Sequence, residues 1–137
     1  MIVYLDTSVV LRILFGEPNP VPIWGKWDKA YSSILLRIEA LRTIDRLRLS
    51  GDITDRELAD LTQDVQIVFL TLYIVPLTDS ILQRASQSFP TVVGTLDALH
   101  LATALAVRGY ETLDLLLTHD QQLGIAARSL GYSIVGV

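Results

Sequence analysis

A chain of 137 residues, half of them hydrophobic and none of them cysteine, can bury its own core but cannot form disulfides or thiolate metal sites. A formal charge of −4 excludes a general nucleic-acid coat protein, and the apolar content excludes a disordered chain. No apolar run approaches the ~18 residues of a membrane span, and the N-terminal stretch lacks a basic start and is cut by Asp6 and Arg12, so a single cytoplasmic domain over 1–137 is expected.

In chain order, short β-like runs alternate with helical stretches, the pattern of a parallel α/β sheet covered on both faces. Ile2 to Leu5 reads as a first strand, followed by a helix over about 8–15 with Thr7 as its cap; Gly16, Pro18 and Pro20 end it. A short helix carrying Trp24 and Trp27 is expected next, its indoles either covering the core or standing as an exposed anchor for a partner. Tyr31-Ser32 reads as a brief second strand, with Ser33 capping a helix that runs to Ser50 and stops at Gly51. Thr54-Asp55-Arg56-Glu57 has capping-box spacing and predicts a helix to about Leu70. Tyr73 to Pro76 forms a third strand, 79–88 a helix ended by Pro90, and 95–109 a nearly all-apolar helix. Leu115 to Thr118 is a fourth strand, 121–130 a final helix and 132–135 a last strand, with no repeat, linker or low-complexity segment.

Four carboxylates stand where so hydrophobic a chain would be expected to place apolar residues: Asp6 and Asp120 directly after strands, Asp97 opening the apolar helix, and Glu39 early in its own helix. Buried acids are costly unless hydrogen-bonded, protonated or bound to cations. Open parallel sheets bind ligands beyond the carboxyl ends of their strands; Asp6 and Asp120 project there, a right-handed crossover starts the Asp97 helix there, and Glu39 lies within about two turns of its own helix start, so one edge can receive all four acids. A hard divalent metal and phosphoryl chemistry would suit such a set.

Each acid also has a plain structural reading. Asp6 can be a turn former or cap, and Asp120 a cap. Asp97 can favour the helix dipole by ~0.3–1 kcal/mol, and Glu39 can pair with Arg42 or Thr43 for ~0.2–0.5 kcal/mol. Residues 1–50 carry seven Lys/Arg against five Asp/Glu, whereas 51–137 carry four against ten. The basic weight includes Arg37, Arg42 and Arg46 on the Glu39 helix, either a solvated face or a track for phosphates. His100, three residues after Asp97, either orients that acid or is satisfied in the core, and His119 has no Cys or His partner at zinc spacing.

Tyr4-Leu5-Asp6-Thr7-Ser8, Ser32-Ser33 followed by Glu39, the run Asp97-Ala98-Leu99-His100-Leu101-Ala102-Thr103-Ala104, and Leu116-Leu117-Thr118-His119-Asp120 occur in one order along the chain. Together they resemble a PIN-domain ribonuclease, specifically a VapC-type toxin of a toxin–antitoxin pair, and the resemblance covers essentially the whole chain. It implies a Rossmann-like three-layer fold with a five-stranded parallel sheet and an acidic pocket for Mg²⁺ or Mn²⁺. Asp6 and Asp97 take the positions of the principal metal-binding acids, Glu39 and Asp120 those that complete the pocket, with Ser8 and Thr118 in support. It further implies a water activated for in-line attack on an RNA phosphodiester, a VapB-type antitoxin protein as partner, and a homodimer. The acidic net charge departs from what an RNA-cutting enzyme would be expected to carry, and 19–30 matches no motif of the family.

Rival acidic-pocket enzymes fit less well. A phosphoacceptor receiver domain needs a lysine after a late strand, and the only lysines are Lys26 and Lys29; a haloacid-dehalogenase-type phosphatase wants an Asp where Ser8 stands. No G-x-G-x-x-G, P-loop or G-x-S-x-G signature occurs. A catalytically silent PIN-fold module that binds RNA or protein is the alternative from a different class.

Overall fold

In a computed structural model describing all 137 residues, β1 (Ile2–Leu5), β2 (Lys29–Ser33), β3 (Tyr73–Val75), β4 (Leu115–Leu117) and β5 (Ile134–Val135) form one parallel sheet in the order β3-β2-β1-β4-β5. The chain winds outward from β1 through β2 to β3, then returns to the other side of β1 for β4 and β5. The point where strand order reverses therefore lies between β1 and β4, and it is there that this architecture opens a crevice.

Burial on both faces explains why β1 is apolar throughout. Val3 and Leu5 pack into one layer with Val9, Val10 and Leu36, while Tyr4 faces the other with Leu101, Ala104, Leu116 and Leu123. The first layer holds α1 (Thr7–Leu14), α2 (Leu35–Leu49) and α3 (Asp55–Leu70); α5 (Thr95–Arg108) and α6 (Gln121–Ser129) contribute to the second, with α4 (Asp79–Ala85) packed on α5. Helix α5 buries Ala98, Leu101, Ala102, Ala104 and Val107, so Leu101→Ala should cost about 2–5 kcal/mol. That burial fixes the position of the acid at its first turn.

Most predicted elements are present, and the differences have local causes. The cap of α1 is Asp6 rather than Thr7: Asp6 has extended backbone and accepts from the Ser8 N–H at 3.3 Å, while Thr7 is already helical. At α2 the N-terminal residue outside the helix is Ile34, and Ser33 supports the first turn by accepting from the Leu35 N–H at 3.2 Å. The capping box of Thr54 and Glu57 is closed in both directions. Helix α4 stops at Ala85, short of the expected Ser88; beyond it Arg84 folds over the Phe89 ring, 4.3 Å from its centroid, and donates to the Ser88 carbonyl at 3.3 Å.

The tract with the two tryptophans is a run of turns and not a helix, with Gly25 in the left-handed region at φ 75°. Trp24 and Trp27 meet edge to face at 5.2 Å and pack against the α1–α2 layer, which favours core cover over an exposed anchor. No helix is long and apolar enough to cross a membrane.

Candidate active site

Asp6 leaves the central strand at the switch point, and its own N–H donates to the Leu117 carbonyl at 3.0 Å, which ties it to the end of β4. The residue is 5% exposed. Its Oδ2 receives the Ser8 hydroxyl, the Ser8 N–H and the Thr118 hydroxyl, the last at 2.9 Å. Thr118 Oγ1 in turn accepts the Asp120 N–H at 3.0 Å, and Ser8 Oγ accepts the His119 N–H at 2.9 Å. Ser8 and Thr118 thus join the loop after β1 to the loop after β4 through one carboxylate oxygen. His119 points away, with Nδ1–H donating to the Gly136 carbonyl at 2.8 Å.

Asp120 caps α6, accepting the Leu123 N–H on Oδ1 at 3.0 Å, and is otherwise exposed. The structural reading of Asp6 and of Asp120 as caps is therefore correct, and in each case one carboxylate oxygen does that work. Asp6 Oδ1 and Asp120 Oδ2 remain without a hydrogen bond from the protein.

Glu39 reaches the same edge from α2. Its Oε1 accepts the Thr7 hydroxyl at 2.8 Å and lies 2.7 Å from His100 Nε2, which is also 3.6 Å from Asp6 Oδ1. His100 is 1% exposed, and its Nδ1 is 3.0 Å from the Tyr4 hydroxyl. Burial opposes charge on this imidazole, yet the bond to Glu39 and the negative fields of Asp6, Glu39 and Asp97 outweigh it and raise the pKa. Burial and the Asp6 charge push Tyr4 well above an ordinary tyrosine, so its hydroxyl keeps its proton. Sequence reading placed His100 beside Asp97 or in the core; its bonding partners are Glu39, Thr7 and Tyr4. Thr7 and Tyr4 were not foreseen as site residues, and the pattern Tyr4-x-Asp6-Thr7 was the available signal.

Asp97 sits in the first turn of α5, held by the buried residues behind it. Desolvation, followed by the negative charges of Asp120 and Asp6, raises its pKa from 3.8 to about 6. Glu39 adds to that repulsion, and only His100 acts against it. Carboxylates from β1, α2, α5 and the β4 edge therefore feel one another, although no three acidic or histidine side chains are closed around a common point. The donor chemistry fits a hard divalent cation: oxygen ligands, negative charge in excess of the one imidazole, and carboxylate oxygens left without protein donors. Rotation of side chains would be required to close such a site.

The three arginines are not drawn to the acids. Arg37 lies over the Phe69 ring, 6.0 Å from its centroid, in a groove between α2 and α3. Arg42 faces Asp45 at 3.7 Å, and Arg46 shares a shallow recess with both. Arg37 precedes Glu39 by two residues on α2 and Arg46 follows it by seven, about 10 Å along the helix axis, so the three arginines flank Glu39.

The PIN domain family matches residues 3–128 of the chain. Ribonuclease VapC45 of Mycobacterium tuberculosis is 31% identical over 110 residues, spanning 77% of this chain and 76% of that protein. Ribonuclease VapC47 of the same species is 28% identical over 137 residues, spanning 95% and 93%. Among solved structures, a toxin–antitoxin complex from Klebsiella pneumoniae aligns with a TM-score of 0.67 at 17% identity, covering 93% of each chain.

Proposed function

The chain belongs to the PIN-domain family, related to the VapC ribonucleases, and from that premise we propose that it is a divalent-metal-dependent endoribonuclease. We assign it the role of toxin in a type II toxin–antitoxin pair. All 137 residues act as one cytoplasmic domain, and a homodimer carries two copies of the site. The observation that supports this reading best is Asp97: a carboxylate pushed to about pKa 6 by burial and by acids from other segments, at the switch point of the sheet.

In this reading Asp6 and Asp97 hold the cation, Mg²⁺ or Mn²⁺, and Glu39 and Asp120 complete the pocket. When bound, the cation supplies a lowered pKa for an attacking water and stabilises charge on the leaving oxygen. Ser8 and Thr118 fix Asp6 by occupying Oδ2, which leaves Oδ1 toward the pocket. Arg37, Arg42 and Arg46 supply a positive track for RNA phosphates leading to the pocket. A VapB-type antitoxin is the protein partner, with a basic side chain the fitting complement to the acidic pocket.

The test is cleavage of RNA by the purified protein with Mg²⁺ or Mn²⁺, with chelator and the Asp6→Asn and Asp97→Asn proteins as controls. End-mapping should find 5′-phosphate and 3′-hydroxyl products that vanish in the controls. Undiminished cutting by either variant would remove the assignment.

A further inference from the structure

The chemistry just assigned leaves one buried polar contact without a task, the pair of Tyr4 and His100. The geometry points to His100 as a positioning residue for Glu39: with Tyr4 behind it, its Nε2–H holds Oε1 and leaves Oε2 as the oxygen offered to a divalent cation. This rests on the metal-dependent reading of the site.

The donor inventory fixes the roles. A carboxylate only accepts, so the 2.7 Å contact to Glu39 Oε1 requires the proton on Nε2. Nδ1 then faces the Tyr4 hydroxyl at 3.0 Å, and the two rings meet edge to face with centroids 6.2 Å apart. Thr7 places a second donor on the same Oε1 at 2.8 Å. Two donors on one oxygen, both from buried residues, hold a side chain that is itself 23% exposed and would otherwise sample many rotamers.

The connectivity makes the arrangement more than a satisfied core histidine. Tyr4 lies two residues before Asp6 on β1, and His100 lies three residues after Asp97 on α5. The chain Tyr4–His100–Glu39 therefore bonds together the three segments that supply Asp6, Asp97 and Glu39. Outer partners that orient a metal-binding side chain typically contribute about 10–100-fold to metal affinity.

Reach separates positioning from mere packing. His100→Asn keeps a polar group near Nδ1 but is too short to bring a donor to Oε1, whereas His100→Gln extends an amide N–H to the place of Nε2. Mn²⁺ titration calorimetry on the full chain is the measurement, with circular dichroism and metal-free melting to confirm that each variant folds. His100→Asn should bind Mn²⁺ about 10–100-fold more weakly than wild type, His100→Gln should recover most of that loss, and Tyr4→Phe should show a smaller loss in the same direction. If the Asn variant does not fold, Tyr4→Phe decides, because it removes only a hydroxyl. Wild-type affinity in the folded Asn variant, or in Tyr4→Phe where it must decide, overturns the positioning role, as do equal losses in Asn and Gln variants. A wild-type protein that cuts RNA yet takes up no Mn²⁺ overturns the metal-dependent reading and this inference with it.

Discussion

At the amino-terminal edge of the sheet, Glu111 receives Lys29 Nζ at 2.6 Å and the Tyr31 hydroxyl at 2.8 Å, and Asp114 receives the Ile2 N–H at 2.7 Å. At the carboxyl-terminal edge, Asp97 has no such ion pair and lies in the negative fields of Asp120, Asp6 and Glu39, opposed only by His100. The pKa values move oppositely: the bonds to Lys29 and Tyr31 lower that of Glu111, whereas burial and like charge raise that of Asp97. One fold thus contains acids that are neutralised locally and acids left in surplus. A surplus is unfavourable for folding by itself, so its presence at the switch point argues for an external cation.

The strongest way to break this contrast is to remove acids at each edge in turn. Asp6→Asn and Asp97→Asn should each lower Mg²⁺-dependent RNA cleavage by on the order of 10³-fold, several kcal/mol of lost charge stabilisation. Glu111→Gln should leave the rate unchanged, and cleavage assays on the three proteins side by side decide the matter. Next in size is the response to metal. Saturating Mn²⁺ at about 100 times its Kd should stabilise the folded protein by about 2.7 kcal/mol, visible as a higher Tm that Asp97→Asn abolishes.

A smaller effect concerns pH. A carboxyl with a raised folded pKa stabilises the fold while protonated; that contribution is full below 3.8 and lost as pH rises through about 6. Without metal, Asp97→Asn should therefore match wild type in acid and become the more stable of the two above about pH 6. After allowance for solvent screening, the difference should be about 1 kcal/mol, read from urea midpoints across the range. Least of all, the lowered pKa of Glu111 gives a contribution that is present above 4.5 and fades as pH falls through the folded value. The melting temperatures of Glu111→Gln and wild type should accordingly converge on acidification.

What could be read from the chain was what local chemistry decides. The alternation of apolar runs and helices gave the parallel architecture, Thr54 and Glu57 marked a helix start, and Asp6 and Asp120 stood directly after strands. The contact of His100 with Glu39 spans 61 positions and depends on how α5 and α2, on opposite faces of the sheet, reach past its carboxyl edge, which no local pattern encodes. The residues around Trp24 and Trp27 misled for a related reason. Their one-turn spacing suits a helix, but Gly25 and packing against the α1–α2 layer impose turns. The arginines illustrate a third limit, because helical spacing puts them near Glu39 without saying whether they turn toward it.

Asp6 and Asp120 each spend one oxygen on a helix terminus, and asparagine caps a helix about as well as aspartate. An amide there can preserve architecture while withdrawing negative charge, so charge and folding are separable at these two positions by replacing a single oxygen with an NH₂ group. On the proposed assignment, since aspartate and asparagine codons differ by one base, a cell harmed by such a nuclease has a short mutational route to an inactive, folded version.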